Sequence, residues 1–118
     1  MKQFLAIYTG TTSAQERSGW DQLSEAQRTE RIKQGMTAWM DWGERHKGAI
    51  VVQGSPLGKT KRAGMNGVTD IKNAMVGWVV VQAETHEDAA KMFLDHPHFA
   101  IFPGDSVEIM ECLPIPQL

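Results

Sequence analysis

Two histidines flank a proline in the stretch Asp95–His98, and their side chains offer the clearest chemistry in the sequence. Imidazole exchanges a proton near neutral pH, so two imidazoles held in a turn by proline can serve as an acid and a base. We therefore take His96 and His98 as candidate catalytic residues, with Asp70 as a further candidate carboxylate. In the alternative interpretation, His96 ends a helix near its negative pole and His98 bonds to the backbone.

The same pair of histidines raises the question of a metal. A zinc-type site needs a third protein ligand, and neither His46, His86 nor Asp70 lies at a spacing from the pair that guarantees convergence. We therefore predict neither a metal site nor a bound cofactor.

Four further residues are candidates for contacting a small molecule. Trp39 and Trp42 lie three residues apart on a predicted helix, so both can lean toward the sheet, where aromatic rings fill the core or form a platform for a ligand. Tyr8 ends a predicted central strand, and its hydroxyl can reach a ligand or a neighbouring carbonyl. Ser55 is the hydroxyl residue of the turn that follows the second predicted strand.

That turn, Gly54–Thr60, approaches the pattern of a phosphate-binding loop. It has three residues between the glycines where the pattern requires four, and no amphipathic helix follows to direct backbone N–H groups at a phosphate. We therefore interpret it as a turn with solvated lysines.

Length and composition limit the classes of function. At 118 residues the chain predicts one domain, residues 1–118, whose core needs no disulfide or metal. The single cysteine, Cys112, cannot form an internal disulfide, which favours a cytoplasmic protein with an inert thiol. A net charge of −2 gives no electrostatic reason to expect nucleic acid or an anionic membrane as a partner. No stretch approaches the roughly 20 apolar residues of a membrane span.

The stretch Ala74–Ala83 organises the predicted fold, because its β-branched and aromatic residues favour a strand. Alternate residues of a strand point to opposite faces, and both faces of this strand are apolar. Phe4–Tyr8 has the same character and is predicted to lie beside it. Strands that are apolar on both faces must be covered on both.

Capping signals place two helices. Ser24 and Gln27 form a capping box that opens a helix ending near Gly48, and its predicted core-facing residues are Ile32, Met36, Trp39, Met40 and Gly43. Thr85 opens a second helix that must stop before Pro97 and that buries Ala89, Ala90, Phe93 and Leu94. The other predicted elements are a surface loop at Thr11–Asp21, strands at Ala49–Gln53 and Val107–Leu113, and a long loop or ragged hairpin at 57–73.

The order strand, helix, strand, strand, helix, strand predicts an α+β, ferredoxin-like fold. In it, a four-stranded antiparallel sheet carries both helices on one face. No element is left to cover the opposite face of the sheet. We therefore predict a homodimer in which two open sheet faces pack together as a dimeric α/β barrel.

Several short motifs resemble the YCII-related proteins, also called the DGPF-domain family. They are Trp39–Trp42, Gly54–Leu57, Gly77-Trp78 leading into Gln82–Glu84, Glu87–Ala90, and the His96–His98 turn before Val107–Ile109. The resemblance covers nearly the whole chain and implies a ferredoxin-like dimeric α/β barrel. Some members carry a histidine and an aspartate that were proposed as an acid–base pair, and the resemblance places these positions at Thr37 and His96. The Asp-Gly-Pro-Phe element corresponds to Val68–Ile71, which keeps the aspartate as Asp70.

Taken together, the sequence predicts a cytoplasmic homodimer that holds a small molecule between the sheet and the first helix. Two alternatives stay open. One is a cofactor-independent enzyme that uses a histidine of the His96–His98 turn for acid–base or oxygen chemistry, by analogy with other proteins of this fold. The other is a non-catalytic dimerisation or regulatory module, whose aromatic residues are core and whose barrel interior has no ligand-sized pocket.

Overall fold

A four-stranded antiparallel sheet forms the centre of the molecule in a computed structural model, which describes residues 1–117. The strands are β1 (Lys2–Thr9), β2 (Ile50–Pro56), β3 (Thr60–Gly64), β4 (Gly67–Ile71), β5 (Met75–Ala83) and β6 (Ser106–Glu111). The helices are α1 (Thr12–Ser18), α2 (Glu25–Arg45), α3 (His86–Lys91) and α4 (Pro97–Ala100), with a short 3-10 turn at Trp20–Gln22. The central sheet has the order β2-β5-β1-β6, and β3 pairs with β4 separately. The predicted α+β, ferredoxin-like fold is confirmed.

The two predicted central strands pair with each other as expected. Phe4 lies opposite Val81 and Tyr8 lies opposite Gly77 in the antiparallel register of β1 and β5. Residues that face each other across an antiparallel pair point to the same side of the sheet. The side that carries Phe4 and Tyr8 is the side covered by helices.

The core lies between this side of the sheet and the helices. Its buried residues are Phe4, Ala6, Tyr8, Trp42, Val79, Val81, Ala83, Ala89 and Phe93. Each large side chain in this set contributes about 1.5–3 kcal/mol by leaving water. Ala89 and Phe93 are buried as predicted, whereas Leu94 is 69% exposed, because the chain turns away after Lys91 where α3 ends.

Helix α2 begins at the predicted capping box, in which Ser24 and Gln27 exchange side-chain to backbone hydrogen bonds. The prediction of which α2 residues face the core is largely wrong, since Met36 and Met40 are 55% and 71% exposed. Trp42 and Gly35 are instead the buried residues of the helix. The methionines face a cleft beside the sheet rather than the core, and apolar periodicity does not distinguish these two environments.

The stretch Thr11–Asp21, which we predicted as a surface loop, forms α1 and most of the 3-10 turn. Thr11 caps α1 by accepting a hydrogen bond from the backbone of Ala14, and Gly19 ends it in the left-handed conformation at φ 74°. Ala14 is the buried residue of this helix. Because α1 buries a single residue, its sequence shows no helical pattern of apolar residues, and the prediction missed this helix.

The stretch 57–73, predicted as a long loop or a ragged hairpin, is a hairpin with regular pairing. Strands β3 and β4 form a continuous antiparallel ladder from Thr60–Ile71 to Gly64–Gly67. We call residues 57–73 the arm. It is separate from the central sheet, and its side chains are exposed except for the half-buried Thr60 and Ile71.

The face of the sheet opposite the helices is open. One row of apolar residues crosses all four strands on this face, consisting of Val52, Val80, Leu5 and Met110. Val52 and Met110, at the two ends of the row, are 45% and 43% exposed. The predicted absence of a second covering layer within the chain holds for residues 1–117.

Candidate functional site

Three of the predicted site residues, Tyr8, His96 and His98, meet on the helix side of the sheet. Each histidine ring lies 5.2 Å from the Tyr8 ring, measured between centroids. Trp39 of α2 completes the cluster, with its ring 4.6 Å from that of His96. Tyr8 comes from β1, and both histidines come from the turn into α4, so three separate elements position this cluster.

His96 is fully buried, and a backbone hydrogen bond determines its tautomer. It is the N-cap of α4, and its Nδ1 atom accepts a hydrogen bond of 3.0 Å from the backbone N–H of His98. A neutral ring that accepts at Nδ1 carries its proton on Nε2, which therefore donates to Tyr8 Oη at 3.4 Å. Burial, helped by repulsion from His98 and His46, lowers the pKa of His96 to about 3. His96 is thus a neutral donor to Tyr8, not the helix-ending residue of the alternative interpretation.

Tyr8 receives this hydrogen bond on its oxygen, so its own hydroxyl hydrogen is left to donate elsewhere. The ring is 5% exposed and lines a cleft next to α2. Burial raises the pKa of the Tyr8 hydroxyl, because the phenolate would lose its hydration. The side chain therefore acts as a neutral hydrogen-bond donor.

His98 is held from the opposite side. Its Nε2 atom lies 2.7 Å from the carbonyl oxygen of Thr9, and because a carbonyl only accepts, Nε2 carries the proton. In the neutral ring Nδ1 is then an unprotonated acceptor. Every buried side-chain nitrogen and oxygen atom of residues 1–117 has a hydrogen-bond partner. Nδ1 of His98 has none, so this atom is accessible, and His98 is one of the residues that line the cleft.

Burial also sets the charge of His98. It lowers the pKa of the imidazole, against the Thr9 carbonyl and the Asp105 carboxylate, which both favour the cation. Gly104 packs so closely on this ring that a Cβ atom there would collide with it. The absence of a side chain at Gly104 is thus needed to seat the His98 ring, a role that the sequence analysis did not assign to this glycine.

The cleft has a volume of about 1030 Å³ and lies between α2, β2 and β5. Its lining includes Tyr8, Met36, Trp39, Met40, Trp42, Lys47, Ser55, Trp78, His98 and Phe102. A separate cleft of about 430 Å³, lined by Gly10, Thr11, Thr12, Gln15, Glu16, Asp21, Val76 and Pro103, contains none of the predicted site residues.

The two tryptophans of α2 divide between core and cleft. Trp42 is 3% exposed, its ring lies 5.0 Å from that of Phe93, and its Nε1 donates to the Met92 carbonyl at 2.8 Å. It belongs mainly to the core and touches the cleft at its edge. Trp39 is half-buried and stands beside Phe102, a cleft residue that the sequence analysis did not select.

The structure does not bring Asp70 to this cluster. It lies on β4 of the arm, where its carboxylate is 82% exposed and pairs with Lys61 at 2.6 Å. Ser55 lies on β2 at the edge of the cleft, next to Gly54, whose φ of 68° marks an irregularity in the pairing of β2 with β5. Backbone of Trp78 occupies the space that a side chain at Gly54 would need.

No group of three His, Cys, Asp or Glu side chains among residues 1–117 is arranged to hold a metal ion. None of the helices described is both long enough and apolar enough to cross a membrane. In class, the chain is thus a ferredoxin-like α+β protein with a buried Tyr-His-His cluster beside an aromatic cleft.

The sequence matches no protein-family model and no curated protein. Among solved structures, the chain is similar to 5-chloro-2-hydroxyhydroquinone dehydrochlorinase (TftG) from Burkholderia phenoliruptrix AC1100, in a complex with 2,5-dihydroxybenzoquinone. The TM-score is 0.50 at 19% identity, over 91% of this chain and 89% of that chain. At this identity the likeness establishes a shared fold.

Proposed function

We propose that this protein binds a small, planar, hydroxylated ring compound in the cleft and that His98 and Tyr8 act on it by proton transfer. The observation that carries the proposal is the unpartnered Nδ1 atom of His98, on a ring that lies 5.2 Å from the Tyr8 ring, with both residues lining one cleft. An acceptor and a donor at adjacent positions suit a ligand that carries an ionisable hydroxyl group next to a second oxygen.

In the proposed step, Nδ1 of His98 takes the proton of a ligand hydroxyl. The resulting imidazolium is stabilised behind the ring by the Thr9 carbonyl, 2.7 Å from Nε2, and by Asp105. Tyr8 donates its hydroxyl hydrogen to the ligand oxygen on which negative charge develops. His96 does not exchange a proton; it holds the Tyr8 oxygen in place.

The walls of the cleft support a flat, partly apolar ligand. Trp39 and Phe102 supply aromatic surface, and Met36 supplies a flexible apolar side chain. The solved dehydrochlorinase with the same fold was determined with 2,5-dihydroxybenzoquinone, a planar ring with hydroxyl groups. We extend this ligand class to the present protein because the chemistry of its cleft suits the same groups.

We also propose that the chain is a YCII-related protein and forms a homodimer through its open sheet face. The motif resemblance and the fold support the family assignment. The apolar row on the open face supports the dimer, because a second sheet packed on it would bury residues such as Leu5 and Val80 that otherwise contact water. The row extends to both edge strands, so a partner sheet would cover its whole width.

Binding without turnover is the second candidate function. It is favoured by one observation, that burial lowers the pKa of His98 and so makes the imidazole a weaker base. A pure dimerisation module is the least supported alternative, because the cleft of about 1030 Å³ is large enough for a ligand.

The test uses 2,5-dihydroxybenzoquinone and related hydroxylated aromatic compounds in a thermal-shift and calorimetric screen. At one hundred times its dissociation constant, a ligand stabilises the folded state by about 2.7 kcal/mol, which raises the melting temperature by several degrees. We expect His98→Gln to weaken binding at least tenfold. His86→Gln is the matched control, since His86 also bonds a carbonyl, that of Ile109, but lies outside the cleft.

Turnover of a hit is then followed by absorbance across pH. Since His98 acts in its unprotonated form and its pKa lies below the ordinary value of 6.5, activity should persist to below pH 6.5 before it declines. A hit that binds equally well to His98→Gln would contradict the assigned site. Binding without any turnover would select the second candidate function.

A further inference from the structure

The arm, residues 57–73, is the part of the molecule that the proposed function leaves unexplained. It extends as a two-stranded hairpin whose side chains are almost all exposed, including Val68 at 67% and Met65 at full exposure. An isolated two-stranded hairpin is marginally stable in water and gains stability by packing on another surface. Among residues 1–117, strands β3 and β4 pack mainly against each other, and the Leu57 N–H at the base of the arm donates to the Val76 carbonyl of β5.

The dimensions of the molecule show how far the arm departs from a compact arrangement. A chain of this length has an expected radius of gyration of roughly 13.5 Å when it packs as one compact domain. The observed value is 16.4 Å, and the longest dimension is 58 Å against a thickness of 19 Å. A single copy of the chain therefore exposes an extended surface that it does not bury itself.

The charge of the arm differs in sign from that of the remaining chain. The arm carries four cations, Lys59, Lys61, Arg62 and Lys72, and one carboxylate, Asp70, which gives a net charge of +3. The remaining residues carry eight cations and thirteen carboxylates, a net charge of −5. Lys61 is paired with Asp70, whereas Arg62 forms no ion pair with any residue in 1–117. A second copy of this chain therefore offers the arm a surface of complementary charge.

The arm also has an apolar end suited to burial. Ala63 and Val68 face each other across the ladder and so share one face of the hairpin, and Met65 lies at its tip. On the other face Gly64 pairs with Gly67, which leaves bare backbone that a partner surface can approach closely. Apolar residues at the tip and cations along the strands match a surface with an apolar centre and an acidic border.

We infer that the arm docks on a second copy of this chain through its tip, with Met65 buried and with Arg62, which lies on the Gly64–Gly67 face of the hairpin, facing carboxylates of the partner. This contact is additional to the proposed packing of the open sheet faces and does not depend on a ligand in the cleft. It assigns to residues 57–73 an intermolecular role rather than the catalytic role that Asp70 suggested in the sequence.

A photocrosslinking experiment tests the inference directly. A benzophenone amino acid replaces Met65, and equal amounts of unlabelled and nitrogen-15-labelled full-length protein are mixed, allowed to exchange and irradiated. We expect crosslinked peptide pairs that combine one labelled and one unlabelled chain. The same photoreactive residue at Leu94, which is 69% exposed on the helix side, is the matched control and should give far fewer such pairs.

Crosslinks confined within single chains would show that the arm folds back on its own molecule and would overturn the inference. The absence of crosslinks above the Leu94 control would overturn it as well. As a second measurement, Arg62→Glu should weaken self-association at least tenfold in sedimentation velocity, whereas Lys33→Glu on α2 should not. Ligand binding in the cleft is scored separately, so the proposed function and the arm contact can fail independently.

Discussion

At the scale of residues, His96 and His98 have the same side chain and different proposed functions. The backbone N–H of His98 binds Nδ1 of His96, whereas the Thr9 carbonyl binds Nε2 of His98. The first contact makes His96 a donor toward Tyr8, and the second leaves His98 with a free acceptor in the cleft. The site therefore has one positioning histidine and one candidate base.

The sequence predicted which residue types would meet, but not these functions. Proline between two histidines indicated a fixed turn, and Tyr8 at a strand end indicated a nearby hydroxyl; both features lie in the cluster. The ring nitrogen that each histidine exposes depends on main-chain groups brought from distant parts of the chain, such as Thr9. A local sequence pattern does not show which distant main-chain groups will lie beside a side chain. For the same reason, the sequence analysis grouped Asp70 with the histidines, although it lies on β4 of the arm.

We predict that His96 makes the protein sensitive to acid. Its pKa is about 3 in the folded state and 6.5 in the unfolded state, so between these values the unfolded chain binds a proton that the folded chain does not. The free energy of unfolding should fall as the pH drops from 6.5, by about 1.4 kcal/mol per pH unit for this one group.

The variant His96→Asn isolates this effect, because asparagine keeps the N-cap of α4 but does not titrate. Urea denaturation from pH 7.5 to pH 4.5 should give a flatter dependence for the variant than for the natural chain, by about one proton. Identical pH dependence in the two proteins would contradict the burial of a neutral His96.

At the scale of elements, the predictions from the sequence were most accurate where a single local signal determines the secondary structure. The capping box at Ser24 and the paired central strands were predicted correctly because caps and β-branched residues act within a few positions. Two errors share a cause. The helix α1 and the methionines of α2 have environments that depend on the tertiary arrangement, since α1 buries Ala14 alone and the methionines border a cleft.

Helix α2 offers a matched pair of glycines for a test of its packing. A Cβ atom at Gly35 would collide with the Phe102 ring, whereas the space beside Gly43 is open. Gly35→Ala should therefore destabilise the fold by about 1–3 kcal/mol and weaken ligand binding by displacing a wall of the cleft.

Gly43→Ala on the same helix should stabilise the protein by about 0.5–1 kcal/mol, because alanine has the higher helix propensity. Thermal and urea denaturation of both variants checks the pair. Equal stabilisation by the two substitutions would mean that Phe102 does not pack against α2.

At the scale of the whole molecule, one layer of helices and one sheet leave a thin body with one apolar face uncovered. The uncovered face was predictable from the sequence, since both predicted helices lie on one face of a sheet whose central strands are apolar on both faces. The sequence left the arm open between a long loop and a ragged hairpin, because exposed hairpins and loops have similar composition.

The proposed sheet-to-sheet dimer predicts the effect of a charge on the open face. Met110 is 43% exposed in the single chain, so Met110→Glu should leave the fold intact while burying a charge in the dimer. We expect the variant to be monomeric at micromolar concentration by light scattering, while Leu94→Glu on the helix side remains dimeric. A dimeric Met110→Glu protein would place the interface elsewhere.

Each histidine ring is fixed by one hydrogen bond to a main-chain group, the His98 N–H for His96 and the Thr9 carbonyl for His98. A substitution replaces a side chain, but it leaves the main-chain carbonyl and amide in place as long as the path of the backbone is preserved. The exception is a substitution to proline, which removes the N–H. Homologues could therefore diverge widely around these two positions and still present the same ring atoms. The walls of the cleft can therefore change to suit a new ligand while the two histidines proposed here for proton transfer and positioning keep their orientation.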